Sequence, residues 1–318
     1  MKKALIVGLN DYPGNELRWC NNDAVSVSEL IETNGDGSPN FDVIPIIGKC
    51  TSRNLKSAIH ELFSDDSEIA LFYFSGHGSD EGEGYLVTTD DDGVEMTYLL
   101  EKANSSNCKN KIIILDCCFS GKMGENLLLQ NRSVLGDGVT IICASQKWQF
   151  SSENPDIEHG VFTNLMIQGL NGGAADISGN ITPAGLYSFI DQSLGAWEQR
   201  PVFKTNISRF LPIRTIVAKV PKNVLRKLRV YFKEENDEFQ LDPSFEFTND
   251  PAYTHEIAKP YAVKDNVDIF KELQMLESIG LIEPVNTEHM YFAAMKSLGC
   301  KLTALGRHYW RLAKDKRF

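Results

Sequence analysis

The chain has no Cys-x-x-Cys pair, so the usual spacing of a structural zinc site is missing. Its seven cysteines are scattered: Cys20, Cys50, Cys108, Cys117, Cys118, Cys143 and Cys300. An odd, dispersed set reads as buried thiols in a reducing compartment and not as a disulfide framework. No stretch approaches the ~20 apolar residues of a membrane span. After Met1-Lys2-Lys3 only Ala4 to Leu9 are apolar before Asn10 and Asp11, too short a run for a signal peptide. A cytoplasmic protein with no membrane partner is expected. There are no internal repeats and no low-complexity segments. Basic charge is also scarce: 32 Lys and Arg stand against 43 Asp and Glu, a net charge of −11 over 318 residues. So acidic a chain is a poor candidate for gripping nucleic acid along its whole length. The deficit is uneven. Residues 291–318 hold Lys296, Lys301, Arg307, Arg311, Lys314, Lys316 and Arg317 against Asp315 alone, which makes the tail +6 and leaves −17 for the rest.

What is present is an ordinary globular composition, 42% hydrophobic and 24% charged, long enough for one large domain or two smaller ones. Ala4 to Val7, Phe41 to Ile47, Ile69 to Phe74, Lys111 to Leu115 and Val139 to Cys143 read as strands. Pro45 places the second of these at an edge or near its end. Helical spacing joins Ala24, Val27, Leu30 and Ile31, with Asn21 or Asn22 as caps. It also joins Leu55, Ala58, Ile59, Leu62 and Phe63 behind Thr51 or Ser52. Two further helices carry Phe162, Leu165, Met166 and Leu170, then Leu186, Phe189, Ile190 and Leu194 behind Thr182-Pro183. Strands alternating with helices predict a mostly parallel sheet covered on both faces, with ligands beyond the strands' carboxyl ends.

After Ile213 to Val220 the pattern changes. An acidic stretch, Glu234 to Glu238, precedes a helix over Ile269, Phe270, Leu273 and Leu276 that ends at Gly280. Leu281 to Val285 and Met290 to Met295 read as a strand pair, and Thr303 opens a last helix. Helix, hairpin and basic helix together resemble a winged-helix module.

Two strand ends carry chemistry. One gives Ser75-Gly76-His77-Gly78-Ser79, the other Asp116-Cys117-Cys118-Phe119-Ser120-Gly121. A histidine and a cysteine at separate strand ends can meet across the top of a sheet, and a Cys–His pair is the minimum for thiol nucleophilic catalysis. Gly78 lets backbone approach a substrate, and its N–H can join that of the cysteine as an oxyanion hole. Spacing leaves the choice between Cys117 and Cys118 open. It also leaves the plainer reading of a surface loop histidine and a packing cysteine pair.

Tyr73 to Gly78 and Asp116 to Gly121 resemble the two signature segments of the caspase-like cysteine peptidases, closest to metacaspases and bacterial orthocaspases. Gly8 to Tyr12, Leu17 to Ala24 and Gly160-Val161-Phe162-Thr163 fit the same family in order, so the resemblance covers roughly residues 1–215. It implies a caspase-like, mostly parallel α/β sheet flanked by helices. To this the chain adds a connecting segment at 216–250 and a small α+β, winged-helix-like domain at 251–318. The family pattern Asp-x-Cys-x-x-Gly implies Cys118 as nucleophile and His77 as general base and acid. Gly78 and the Cys118 amide become the oxyanion hole. Asp116 and Asp23 become pocket acids for a substrate Arg or Lys, although Asp23 equally suits a helix N-terminus. Ser145, with nearby Gln146, falls where the family contacts substrate backbone. Phe119 stands where metacaspases carry histidine.

The resemblance thus implies an endopeptidase acting on protein or peptide substrates, in the setting of bacterial defence or regulated cell death. No cofactor is needed for the chemistry, and no metal ligands are assigned. Calcium is a candidate activator through Asp90-Asp91-Asp92-Gly93, which lacks EF-hand spacing. Lys122 and Arg132 are candidate self-cleavage sites, and His159 has no assigned role. The alternative is a catalytically silent scaffold whose basic C-terminal module binds nucleic acid or a regulatory protein partner.

Overall fold

Continuous apolar runs build strands that are buried on both faces. β1 (Lys2–Gly8), β2 (Phe41–Ile47), β3 (Ile69–Ser75), β4 (Asn110–Asp116), β5 (Val139–Cys143) and β6 (Val202–Asn206) form one sheet in the order β6-β5-β4-β3-β1-β2. The first five are parallel, and β6 runs antiparallel to β5. The computed structural model describes residues 1–82, 84–117, 125–126, 132–133, 135–144, 153–154, 158–194, 200–207, 211–247 and 261–318. The chain divides into two units, Met1–Val217 and Ala218–Phe318.

In the first unit β1 has β2 on one side and β3 on the other, so strand order reverses there. This makes the carboxyl ends of β1 and β3 the expected ligand crevice. Among the described residues five helices cover the sheet: α1 (Cys20–Ile31), α2 (Ser52–Ser64), α3 (Met96–Ser105), α4 (Val161–Gln168) and α5 (Pro183–Ser193). Strand alternation divides the core in two. Leu5, Val7, Phe72, Phe74, Ile113 and Leu115 pack with α2 and α3. Ala4, Ile6, Leu71, Tyr73, Ile112 and Ile114 pack with α1, α4 and α5. The same alternation assigns the strand ends. Cys117 joins the core of α2 and α3, while Ser75 and Asp116 continue the α1–α4 side.

Local chemistry sets the helix starts. Thr51 Oγ1 accepts from the Asn54 N–H at 3.2 Å, and Thr182 Oγ1 accepts from the Gly185 N–H at 3.1 Å behind Pro183. α1 differs from expectation. It has no side-chain cap. Asn21 lies inside its first turn and accepts the Gly48 N–H at 3.2 Å, tying the helix to the end of β2. Pro45 sits on β2, an edge strand where a missing N–H is tolerated. β6, α3 and a small antiparallel sheet of Gly78–Ser79, Tyr85–Val87 and Gly93–Glu95 go beyond the sequence expectation.

The second unit contains α6 (Lys222–Arg226), α7 (Leu228–Tyr231), β7 (Glu238–Gln240), α8 (Lys264–Ser278), β8 (Ile282–Pro284), α9 (Met290–Met295), β9 (Gly299–Leu302) and α10 (Ala304–Lys314). Its sheet is antiparallel in the order β7-β9-β8. Two expectations change. Residues 218–247 belong to this unit, because Leu225, Leu228 and Phe232 are fully buried and the Phe232 carbonyl accepts from Trp310 Nε1 at 2.8 Å. Met290 to Met295 is a helix and not a strand, since Met290, Ala293 and Ala294 bury one helical face; the partner of β8 is Gly299–Leu302 instead. Gly280, at φ 73°, ends α8 in the left-handed conformation. Thr303 caps α10 through the Gly306 N–H at 3.0 Å.

Removing the α2 cap with Thr51→Ala is expected to cost about 1 kcal/mol of stability, read from the urea midpoint at unchanged m-value.

Candidate active site

The strand ends of the first unit place a group of polar side chains between β3, β4, α1 and α4. Asp23, on the first turn of α1, is 1% exposed, and Asp116, the last residue of β4, is 5% exposed. Their oxygens converge on Gly160, just before α4. A methyl group added there would lie 2.8 Å from Asp116 Oδ2 and 3.3 Å from Asp23 Oδ2. Glycine at 160 therefore leaves the space in front of both carboxylates open.

Hydrogen-bond donors hold the pair in place. Asp23 Oδ1 accepts from His159 Nδ1 at 2.9 Å and from the Gly160 N–H at 3.2 Å. Asp23 Oδ2 accepts from Ser75 Oγ at 3.0 Å. Thr163 Oγ1 donates to Asp116 Oδ2 at 2.7 Å, so the Tyr73 hydroxyl, 2.6 Å away, donates to Thr163 in turn. Burial, and after it the Asp116 carboxylate, push Asp23 up to about 7 against the pull of these donors. Burial, then Asp23 and Asp116, also drive the Tyr73 phenol far above its ordinary range.

His77 follows β3. Its Nε2 lies 2.7 Å from the Asn15 carbonyl. A carbonyl can only accept, so the proton is on Nε2 and the basic lone pair on Nδ1. The His77 N–H donates to the Tyr12 hydroxyl at 3.0 Å, and the two rings are 4.6 Å apart. Tyr12 is itself buried, and burial raises its phenol well above the normal range. The imidazole is thus fixed in tautomer and in orientation by the segment between β1 and α1. Gly78 lies in the short strand Gly78–Ser79, paired with Leu86.

Among the residues expected at the site, the structure brings Asp23 and Asp116 together and sets His77 and Gly78 at the end of the neighbouring strand. Cys118 and Ser145 lie outside the described residues, as do Gln146, Phe119 and Lys122. Cys117 is fully buried. Arg132 falls in the two-residue strand Arg132–Ser133, paired with Glu125–Asn126. The acid run behaves locally. Asp90 accepts from the Ser52 N–H and Thr88 Oγ1, and Asp92 accepts from Ser52 Oγ and the Gly93 N–H. Among the described residues no group of three or more His, Cys, Asp or Glu is placed to hold a metal ion. Sequence reasoning missed His159, Thr163, Ser75, Tyr12 and Asn15 as parts of the site. Thr163, Ser75 and Tyr12 lie within the segments that carry the resemblance and His159 adjoins one of them, which is their only signal; Asn15 has none.

The caspase domain family model matches residues 1–209. The chain belongs to the caspase family. Its caspase domain is a cysteine peptidase domain, a hydrolase of protein or peptide substrates. Caspase-1 from Spodoptera frugiperda shares the fold with a TM-score of 0.51 and 16% sequence identity, over 68% of this chain and 90% of that one. A search of curated proteins gives no match. Among the described residues no helix is long and apolar enough to cross a membrane.

The buried acid pair makes a signed prediction. Between the ordinary value of 3.8 and about 7 the folded state keeps a proton on Asp23 that the unfolded state has lost. Stability attributable to Asp23 therefore falls as pH rises through that window and levels off above it. Asp23→Asn is expected to gain on the parent in melting temperature between about pH 4 and about pH 7 and to hold that gain above it.

Proposed function

We propose that this caspase-family chain is an endopeptidase with a Cys118–His77 dyad that cleaves after Arg or Lys. The observation that carries the specificity is the convergence of the buried Asp23 and Asp116 on Gly160. Two carboxylates held in one dry pocket gain most from a cationic guest, and a guanidinium offers them a planar set of donors. A substrate aspartate would add a third negative charge there.

The chemistry follows from the strand ends. Cys117 is committed to the core, which leaves the nucleophile to Cys118, as the family pattern implies. Cys118, as thiolate, attacks the substrate carbonyl carbon while its proton rests on His77 Nδ1. The Gly78 and Cys118 N–H groups stabilise the oxyanion. Collapse breaks the C–N bond, and His77 returns the proton to the leaving amine. Water then attacks the thioester, His77 takes its proton, and the acid product leaves a free thiol. Ser145, by the resemblance, contacts the substrate backbone.

The second unit is proposed as an accessory module for a regulatory protein partner. Its basic tail is partly engaged within the unit. Arg307 donates to the Leu302 carbonyl at 3.2 Å, Arg311 pairs with Glu235, and Lys314 lies 4.5 Å from the Trp310 ring centre. These contacts favour a protein partner over nucleic acid.

The test is a fluorogenic peptide panel varying the residue before the scissile bond, run with and without calcium. The parent is expected to favour Arg and Lys, and equal cleavage after Asp and Arg would overturn the specificity. Cys118→Ala should lower kcat by about three orders of magnitude or more while folding normally. Cys117→Ala should retain cleavage and lose about 1 kcal/mol of stability. Asp116→Ala should remove cleavage after basic residues.

A further inference from the structure

His159 does more than fill space beside the acid pair. With Gly160 it occupies the two-residue strand His159–Gly160, paired with Glu153–Asn154, directly before α4. Two successive residues thus donate to one oxygen: the His159 imidazole at 2.9 Å and the Gly160 N–H at 3.2 Å, both to Asp23 Oδ1. With that oxygen held, Asp23 Oδ2 faces the space before Gly160 that Asp116 Oδ2 also faces. Like charges brought this close favour turning one carboxyl away or protonating it, and either change weakens a receptor for a cation. A donor on the far oxygen opposes both. The His159 side chain is a fifth exposed, so it sits at the rim and not in the core.

We propose that His159 is a positioning residue for the basic-residue pocket: its Nδ1–H holds the Asp23 carboxyl turned toward Asp116, so that the pair receives a guanidinium or ammonium group. This rests on the reading of Asp23 and Asp116 as that pocket. His159 touches the carboxylate and not the reacting atoms, so its loss acts on substrate affinity and leaves the dyad chemistry in place.

The experiment measures KM and kcat of the full chain on an Arg and a Lys reporter peptide. His159→Ala is expected to raise KM about tenfold or more, with kcat within about threefold of the parent. His159→Asn, whose amide N–H replaces the Nδ1–H donor, is expected to recover most of the loss. His159→Gln, whose donor sits one bond farther out, is expected to recover less. A purely structural role would lower the melting temperature and kcat without this order among the variants. If His159→Ala fails to fold, the comparison of His159→Asn with His159→Gln decides. Unchanged KM in a folded His159→Ala overturns the proposal and leaves the basic pocket standing, as does an equal KM for the Asn and Gln variants. A parent that ignores Arg and Lys peptides overturns the pocket reading and this inference together.

Discussion

Two carboxylates buried within reach of one glycine are the constraint on which the site is built. Such a pair is unfavourable in isolation, because each loses water and each repels the other. Four elements build the pair and hold it. α1 supplies Asp23 itself, β3 supplies Ser75 and Tyr73, and β4 ends in Asp116. The residues leading into α4 supply His159, Gly160 and Thr163. Ser75, Tyr73 and Thr163 are buried, while His159 stands at the rim. The pair is thus both a cost to the empty domain and a source of attraction for a positive guest.

Alternation along the strands is what delivers these groups to one place. A shift of one residue in the register of β4 would move Asp116 into the apolar core and Cys117 toward the acids. Continuous pairing on both sides, Ile69 to Ser75 against Asn110 to Asp116 and Val139 to Cys143 against Lys111 to Leu115, fixes that register over full strand lengths. The precision of the site is therefore a property of the sheet, expressed where the sheet stops.

The sheet was legible in the sequence because buried parallel strands read as unbroken apolar runs. Phe41 to Ile47 and Val139 to Cys143 were bounded to the residue, and the other three to within one or two. β6 escaped because Val202 to Asn206 mixes apolar and polar residues on an antiparallel edge, without a periodic signature. α3 escaped because its buried face is only Met96, Leu99 and Ala103. α9 was misread because Met290 to Met295 is short and apolar, a run that helix and strand share. His77, Asp116 and Asp23 stood out as chemistry-bearing types in motifs. His159 did not, because its meaning depends on a partner far away in sequence on α1. Thr163 and Tyr73 likewise look like core residues until their hydroxyls are seen to run in line toward Asp116.

The segment between β1 and α1 carries Tyr12 and Asn15, which orient His77, and it opens onto Asp23, which shapes the pocket. On the proposed roles of His77 and Asp23, reactivity and selectivity are therefore not separable modules in this chain. A graft that exchanges this segment to change what the pocket accepts also exchanges the anchors of the imidazole. Variation confined to the entry to α4, which is remote in sequence from both His77 and Cys118, touches the proposed pocket alone. A change of substrate preference that keeps the proposed dyad intact is thus open mainly from the entry to α4.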